Sequence, residues 1–282
     1  MQPTGLALYV RAIDRDRHGS PKQLAKKFAD HGASWVAIAG PWHDDKGCRM
    51  INKPETVRRY ADAFEEKGIL PYVWGYPWQG SEDRFAAELH SCSGERKLVL
   101  LDPELGANPT RAKKGAGKTK ANAHAAMLVS LMADHFPGGV CGVSTFGSGA
   151  RMGWFPTRAF VHALATCFPS RSFIGGQTYT DDTRIDPSIA DFCQVIEDVT
   201  YKHIVGLVPN FGTYSKVAIA GKKIKYRAKT QVEMDAHFLE FIDEAEPIDA
   251  LIGWAENFMN PELWHSFARM ADRMSRGATV LP

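Results

Sequence analysis

Eight short apolar runs recur along the chain, and polar or turn-forming residues close each of them. The runs are LALYVRA (Leu6–Ala12), WVAIAG (Trp35–Gly40), LPYVWGYPW (Leu70–Trp78), KLVLLDPE (Lys97–Glu104), GVCGVSTFG (Gly139–Gly147), SFIGGQTY (Ser172–Tyr179), HIVGLVPNFG (His203–Gly212) and ALIGWAEN (Ala250–Asn257). Several runs are apolar throughout rather than alternating, which is typical of strands covered on both faces. The pattern therefore predicts eight buried strands.

Segments with helical signals lie between these runs. Pro21–His31 follows Ser20, which is a good N-cap residue, and places proline at the first helical position. Pro54–Lys67 repeats apolar residues at helical spacing and stops at Gly68. Further helices are expected at Glu82–Ser91, Ala121–Phe136, Pro156–Phe168, Pro187–Thr200, Gln231–Glu244 and Pro261–Ser275.

Strands that alternate with helices form right-handed βαβ units and a parallel sheet. Eight such units close into a barrel, so the pattern predicts the α/β class and a single (β/α)8 TIM barrel over residues 1–282. The alternative is an open, doubly wound sheet. Such a sheet usually has a glycine-rich phosphate turn after its first strand, and VRAIDRDRHG, at residues 10–19, is not one.

Composition excludes several classes of partner. A net charge of +2 does not indicate a nucleic-acid ligand. No apolar stretch reaches the roughly 20 residues that a membrane helix needs. The five cysteines form no CxxC pair, which indicates free thiols and no zinc site. The first residues lack a basic segment followed by an apolar one, so we expect cytoplasmic synthesis without a secretory signal.

A basic segment at residues 106–120 follows the fourth run. Its GAGKT does not fit a phosphate loop, because the glycine required five residues before Gly117 is Ala112. A solvated basic loop is the expected structure. The alternative is a lid that attracts an anionic substrate through its cations. These cations are Arg111, Lys113, Lys114, Lys118 and Lys120.

Catalytic groups of a TIM barrel lie at the carboxyl ends of its strands. Two kinds of residue recur there, acids and flat aromatic rings, together with side-chain amides. A sugar stacks its C–H face on rings and bonds its hydroxyls to amides and carboxylates. The candidate substrate-binding residues are Trp74, Tyr76, Trp78, Gln177, Tyr179, Asn210, Trp254 and Asn257. The nearby segment PWHDDKG, at residues 41–47, is expected to be an exposed loop.

Two acids close the fourth run. Asp102 and Glu104 are two residues apart, so on a strand they share one face. Burying two ionised carboxylates in a packed core costs several kcal/mol each, which favours a place at the open end of the barrel. Alternatively, Asp102 caps a turn and Glu104 is solvated in the loop that follows.

The Asp-x-Glu ending resembles two groups of sugar-cleaving barrels, the lysozyme-type glycoside hydrolases of family 25 and the chitinase-type hydrolases of family 18. The resemblance implies that Glu104 is the proton donor, and that Asp102 is the nucleophile or orients the N-acetyl group of the substrate. Trp254 resembles the tryptophan under the sugar in the chitinase type, and Tyr179 matches a tyrosine at the end of its sixth strand.

The chain also departs from both patterns. The chitinase pattern has two further acids upstream, where this chain has Lys97 and Leu100. The lysozyme pattern has an acid on the first strand, where this chain has Arg11. Because of these departures, a barrel that has lost its catalytic activity is an alternative.

Glu256, in the eighth run, is a candidate for the second carboxylate, and the alternative is that it caps the helix that begins near Pro261.

We therefore expect a glycosidase that cleaves a polysaccharide with N-acetylated sugars, such as peptidoglycan, without metal or cofactor. Without a secretory signal, the protein would leave the cell by another route, as phage lysis or virion proteins do. The alternative is a non-catalytic sugar-binding or structural barrel.

Overall fold

The structure, a computed structural model, describes residues 3–44, 46–103, 116–146, 155–177, 185–200, 205–219, 223–242 and 250–276. The strands are β1 (Gly5–Val10), β2 (Trp35–Asp44), β3 (Gly47–Met50), β4 (Leu70–Tyr76), β5 (Leu98–Leu101), β6 (Val140–Phe146), β7 (Ser172–Gln177), β8 (Val205–Leu207), β9 (Asn210–Gly212), β10 (Tyr214–Ile219), β11 (Lys223–Ala228) and β12 (Ala250–Trp254). The helices are α1 (Arg15–His18), α2 (Pro21–Asp30), α3 (Pro54–Glu65), α4 (Glu82–Ser93), α5 (Ala116–His135), α6 (Thr157–Cys167), α7 (Ile185–Thr200), α8 (Gln231–Ile242) and α9 (Pro261–Ser275).

Parallel pairing closes the sheet into a barrel. From β1 the order runs through β2, β4, β5, β6, β7, β9 and β12, and β12 pairs with β1 again. Ala7 of β1 lies level with Trp35 of β2 on one side and with Ile252 of β12 on the other. The predicted (β/α)8 barrel is confirmed, and each predicted helix has a counterpart among the described residues.

The seventh barrel strand is divided in two. β8 pairs with β7, whereas β9 pairs with both β7 and β12. Between them Val208 donates its N–H to Ile174, at 3.0 Å, and Pro209 accepts from Ile252, at 3.2 Å. A β carbon at Gly175 would lie 1.7 Å from the Val208 carbonyl oxygen. Only glycine fits this approach between neighbouring backbones.

Side chains alternate between the inside of the barrel and the layer of helices. On β1, Leu8 and Val10 join the large apolar cluster that includes the helices, whereas Ala7 and Tyr9 join a cluster made of strand and strand-end residues. The second cluster fills the barrel interior with rings such as Trp35. The interior is therefore a packed core, and only the end where the strands finish, here called the barrel mouth, is left for a ligand.

Helix starts follow the capping rules. Ser20 accepts from the Gln23 N–H at 3.3 Å, and the Gln23 side chain accepts from the Ser20 N–H at 2.7 Å, which completes a capping box before α2. Before α9 it is Asn260 that accepts from the Leu263 N–H, at 2.9 Å. The alternative that Glu256 caps this helix is therefore wrong.

The segment 41–47 differs from the exposed loop expected of it. β2 continues through it to Asp44 and pairs antiparallel with β3. His43 is fully buried and hydrogen-bonds Ser81 at 2.9 Å and Glu88 at 2.8 Å. These partners satisfy both ring nitrogens, which is why a polar sequence can be buried here.

Two further features were not predicted. β10 and β11 form an antiparallel hairpin directly after the seventh barrel strand. α5 begins at Ala116, so residues 116–120 of the expected basic loop are helical, and residues 106–115 lie outside the described residues. No helix in the described part of the chain is long and apolar enough to cross a membrane.

Candidate active site

Asp102 lies at the barrel mouth, directly after β5. Leu100 belongs to the interior cluster, and the alternation of a strand turns the residue two positions later to the same side. Gln177, the last residue of β7, donates from Nε2 to Asp102 Oδ1 at 3.0 Å. The Asp102 side chain is therefore directed across the mouth and is 4% exposed.

The polar contacts continue around the mouth. Gln177 Nε2 also lies 3.3 Å from the hydroxyl oxygen of Ser144 on β6. Asn210, at the start of β9, donates from Nδ2 to the same oxygen at 2.5 Å. Neighbouring strand ends thus form one network around a buried acid, Asp102. A carboxylate out of water needs such donors, because each unsatisfied buried polar group costs about 1–3 kcal/mol.

Aromatic rings occupy another part of the mouth. Tyr9, Trp74 and Trp254 meet edge to face, with centroid separations of 5.5 Å for Tyr9–Trp74, 5.1 Å for Tyr9–Trp254 and 5.4 Å for Trp74–Trp254. Trp42 stacks on Tyr76 at 4.3 Å, with 14° between the ring planes. Trp42 and Trp254 are partly exposed, so their rings can offer surface to a ligand.

Other candidate binding residues have different surroundings. Trp74 is fully buried, so its ring supports Trp42 and Trp254. Trp78 is half-buried beyond β4, and its carbonyl accepts from the Ser81 hydroxyl at 2.8 Å. Asn257 is exposed. Glu104 and Tyr179 lie outside the described residues, so their predicted roles stay predictions.

Glu256 belongs to a separate network. It opens a short 3₁₀ helix after β12 and is 3% exposed. Its carboxylate accepts from His18 Nε2 at 2.8 Å and lies 3.5 Å from Lys27 Nζ and 3.6 Å from an Arg17 guanidinium nitrogen. Burial raises the pKa of Glu256, but the hydrogen bond and charge of His18 and the two neighbouring cations outweigh it and lower the pKa overall.

The Glu256 contacts join the end of β12 to the segment after β1, whereas the Asp102 contacts join the ends of β5, β6 and β7. Sequence analysis selected neither Ser144, near the end of the fifth apolar run, nor Trp42, after the second run, as a substrate-binding residue. A polar residue near the end of an apolar strand needs a partner, and this signal could have selected Ser144. No group of three or more His, Cys, Asp or Glu side chains in the described residues is arranged to hold a metal ion.

Neither a protein-family model nor a curated protein matches this sequence. Solved structures do match its fold. A GH18 chitinase from Pseudoalteromonas aurantia has a TM-score of 0.62 at 10% identity and covers 95% of this chain and 100% of its own. The endo-1,4-beta-mannanase of Rhizomucor miehei has a TM-score of 0.63 at 11% identity, with 97% and 95% covered. The Bacillus cereus spore cortex-lytic enzyme SleL has a TM-score of 0.60 at 8% identity, with 94% and 73% covered.

These similarities span almost the whole chain at about a tenth sequence identity, so they are similarities of fold. The class that the fold defines is the (β/α)8 TIM barrel, and the similar structures include a chitinase and a mannanase. Fold alone does not fix chemistry, which depends on the residues at the mouth.

Proposed function

We propose that this protein is a glycoside hydrolase that cleaves a polysaccharide with N-acetylated sugars, with peptidoglycan as the favoured example. The observation that carries the proposal is Asp102, a buried acid held by an amide at the barrel mouth. The names of the similar structures, a chitinase, a mannanase and a spore cortex-lytic enzyme, support a glycan as the substrate.

Asp102 and Glu104 have different catalytic roles in this proposal. Glu104 donates the proton to the leaving oxygen, and Asp102 acts as nucleophile or orients the N-acetyl group. An ionised Asp102 favours the protonated form of an adjacent carboxyl, which is the form that a proton donor needs. Gln177 positions Asp102 through its hydrogen bond at 3.0 Å.

Sugar rings would lie on the exposed aromatic surface. Trp254 supplies ring surface with Trp74 packed against it, and the partly exposed Trp42, which stacks on Tyr76, also contacts Trp74. Asn210, Tyr179, Trp78 and Asn257 remain candidates for contacts to further sugar units. Sugar–ring contacts are short-range and orient the substrate, so they support both binding and turnover.

Glu256 is the other candidate for a second carboxylate. Its contacts with His18, Lys27 and Arg17 support a structural role, because these three side chains already occupy both of its oxygens. We therefore propose Asp102 and Glu104 as the reacting pair and Glu256 as the residue that fastens the end of β12 to the α1–α2 segment.

Release of reducing ends from a purified cell-wall preparation tests the proposal. Wild-type protein is expected to release them, and Glu104→Gln is expected to lower the rate at least about 100-fold, the usual contribution of a general acid. Glu66→Gln is a matched control, since Glu66 is exposed at the end of α3 and its helix ends at the far side of the barrel. Equal rates for wild type and Glu104→Gln would contradict the assignment.

A non-catalytic sugar-binding barrel is the second candidate function. It is favoured by Leu100, because an apolar side chain packs inside the barrel where the chitinase pattern has an acid. Binding of cell-wall glycan by wild-type protein with no release of reducing ends would support this candidate over the enzyme.

A further inference from the structure

Two arginines lie over one partly exposed tryptophan, Trp42, at the barrel mouth. The guanidinium carbon of Arg11 lies 5.3 Å from the centroid of the Trp42 ring, and that of Arg49 lies 5.8 Å from it. Tyr76 stacks on the same tryptophan and holds it in place. A guanidinium held over a ring keeps its N–H edges free for a further partner.

Arg11 continues the inward-facing positions of β1. Ala7 and Tyr9 lie in the interior cluster, and Arg11 is the next residue of that alternation, just past the end of the strand. Its side chain is exposed and forms no ion pair with any residue that the structure describes. An unpaired cation is thus available beside the ring surface.

Arg49 approaches from β3 and is 63% exposed at its side chain. A guanidinium nitrogen of Arg49 lies 3.7 Å from Asp44 Oδ2, which also accepts from Trp42 Nε1 at 3.0 Å. The N–H of Lys46 lowers the pKa of Asp44, as do Trp42 and Arg49, although burial opposes them. Asp44 therefore offsets part of the charge of Arg49, whereas Arg11 forms no ion pair with a described residue, so the described residues around Trp42 carry a net positive charge.

Other segments after barrel strands add positive charge. The stretch 214–229, which contains the β10–β11 hairpin, has six Lys and Arg residues and no Asp or Glu. The stretch 105–133, which follows β5, has five Lys and Arg residues and no Asp or Glu. The whole chain has a net charge of only +2, so these two stretches of sequence are much more basic than the chain as a whole.

We propose that Arg11 and Arg49 bind a carboxylate carried by the glycan, so that the site selects an acidic, N-acetylated polysaccharide over a neutral one. This inference rests on the proposed function, because it assumes that a glycan lies at the barrel mouth next to Trp42. Guanidinium groups match carboxylates in geometry and form charge-assisted hydrogen bonds to them. A sugar lying next to these two guanidinium groups would bring its carboxylate within reach of their N–H edges.

Titration calorimetry with three soluble glycans tests the inference on the whole protein. An N-acetylchitooligosaccharide is neutral, a hyaluronan oligosaccharide carries its carboxylate on a uronate, and a peptide-free peptidoglycan strand carries it on a lactyl ether. We expect at least one acidic glycan to bind more tightly than the neutral one, and to lose this advantage as salt rises from about 0.05 to 0.5 M. The acidic glycan that shows the advantage identifies the source of the carboxylate.

Arg11→Gln and Arg49→Gln are each expected to weaken binding of the preferred acidic glycan about fivefold, the effect of one exposed charge pair, and to leave the neutral glycan unchanged. Arg276→Gln removes the same charge from the residue after α9, where Arg276 is paired with Asp272, and should change neither. All three variants are at exposed positions, so thermal melting should match that of wild type.

The possible failures are distinguishable. Equal wild-type affinities for acidic and neutral glycans, or equal weakening of both by Arg11→Gln, would overturn the charge selection and leave the proposed hydrolase standing. Absence of binding or cleavage for all three glycans and for cell wall would overturn the proposed function together with this inference.

Discussion

The Gln177 side chain donates a hydrogen bond to Asp102 across 3.0 Å and thereby joins the end of β7 to the end of β5. The same nitrogen lies 3.3 Å from the Ser144 hydroxyl oxygen. A single amide therefore fixes the orientation of the buried acid and connects it to the next strand. This bond positions the carboxylate on which the proposed chemistry depends.

Gln177→Leu is predicted to impair both stability and turnover. Asp102 Oδ1 and the Ser144 hydroxyl would lose a donor inside a buried network, which costs about 1–3 kcal/mol of unfolding free energy. A misoriented Asp102 should lower kcat about tenfold or more with little change in KM. Chemical denaturation and steady-state kinetics measure the two effects, and a loss of stability with unchanged kcat would show that Gln177 has only a structural role.

Trp254→Ala is predicted to raise KM, since the ring surface under the sugar is lost. One aromatic contact contributes about 0.5–1.5 kcal/mol, so the expected rise is roughly 2- to 12-fold. Trp254→Phe keeps a ring and should recover part of the loss. Kinetics with a soluble oligosaccharide would contradict the role of Trp254 if Ala and Phe variants both match wild type.

Glu256→Gln is predicted to destabilise the protein without abolishing turnover. Glutamine keeps hydrogen-bonding capacity but loses the charge that faces His18, Lys27 and Arg17, and the expected loss is about 1–3 kcal/mol. A control at the exposed Glu66 should be near neutral. A catalytic Glu256 would instead give a folded, equally stable protein with turnover lost.

The stabilising effect of Glu256 should also depend on pH. Its pKa is lower in the folded protein than the ordinary value of 4.5, so the unfolded chain takes up the proton first as pH falls. The contribution is complete above about pH 4.5 and disappears as pH falls through the lower, folded value. Denaturation of wild type and Glu256→Gln at pH 7 and near pH 3 should show the stability difference shrinking in acid, and a difference that grows in acid would contradict this assignment.

Gly175→Ala is predicted to destabilise the barrel by about 3 kcal/mol or more, the upper end of overpacking effects. The added β carbon would meet the backbone of Val208 at 1.7 Å, and a backbone carbonyl on a neighbouring strand cannot move aside as a flexible side chain can. Urea denaturation measures the loss. A change below about 1 kcal/mol would mean that the strands can separate at the β8–β9 break.

The barrel was predictable because its information is local. A short window of sequence is enough to recognise each element. Examples are the continuous apolar run Leu98–Leu101 and the capped helix Pro21–Asp30. The β10–β11 hairpin was not predicted, because its two antiparallel strands are additional to the eight parallel strands that complete the barrel pattern.

The site was less predictable because its contacts are distant in sequence. Nothing near Glu256 shows that His18, 238 residues away, supplies its closest partner. His43 looked exposed in a polar segment, but Glu88 on α4 satisfies it in the interior. Asp102 was identified from a short motif, whereas its partner Gln177, 75 residues on, was selected only as a binding residue.

The most direct test of the central claim is the rate at which Asp102→Asn releases reducing ends from cell-wall glycan, measured beside wild type. Asparagine fills the same space at the mouth but removes the carboxylate, so a loss of about 100-fold or more in kcat with an unchanged melting temperature is predicted. Wild-type turnover that survives intact in Asp102→Asn would contradict the claim that this buried acid is the centre of a sugar-cleaving site.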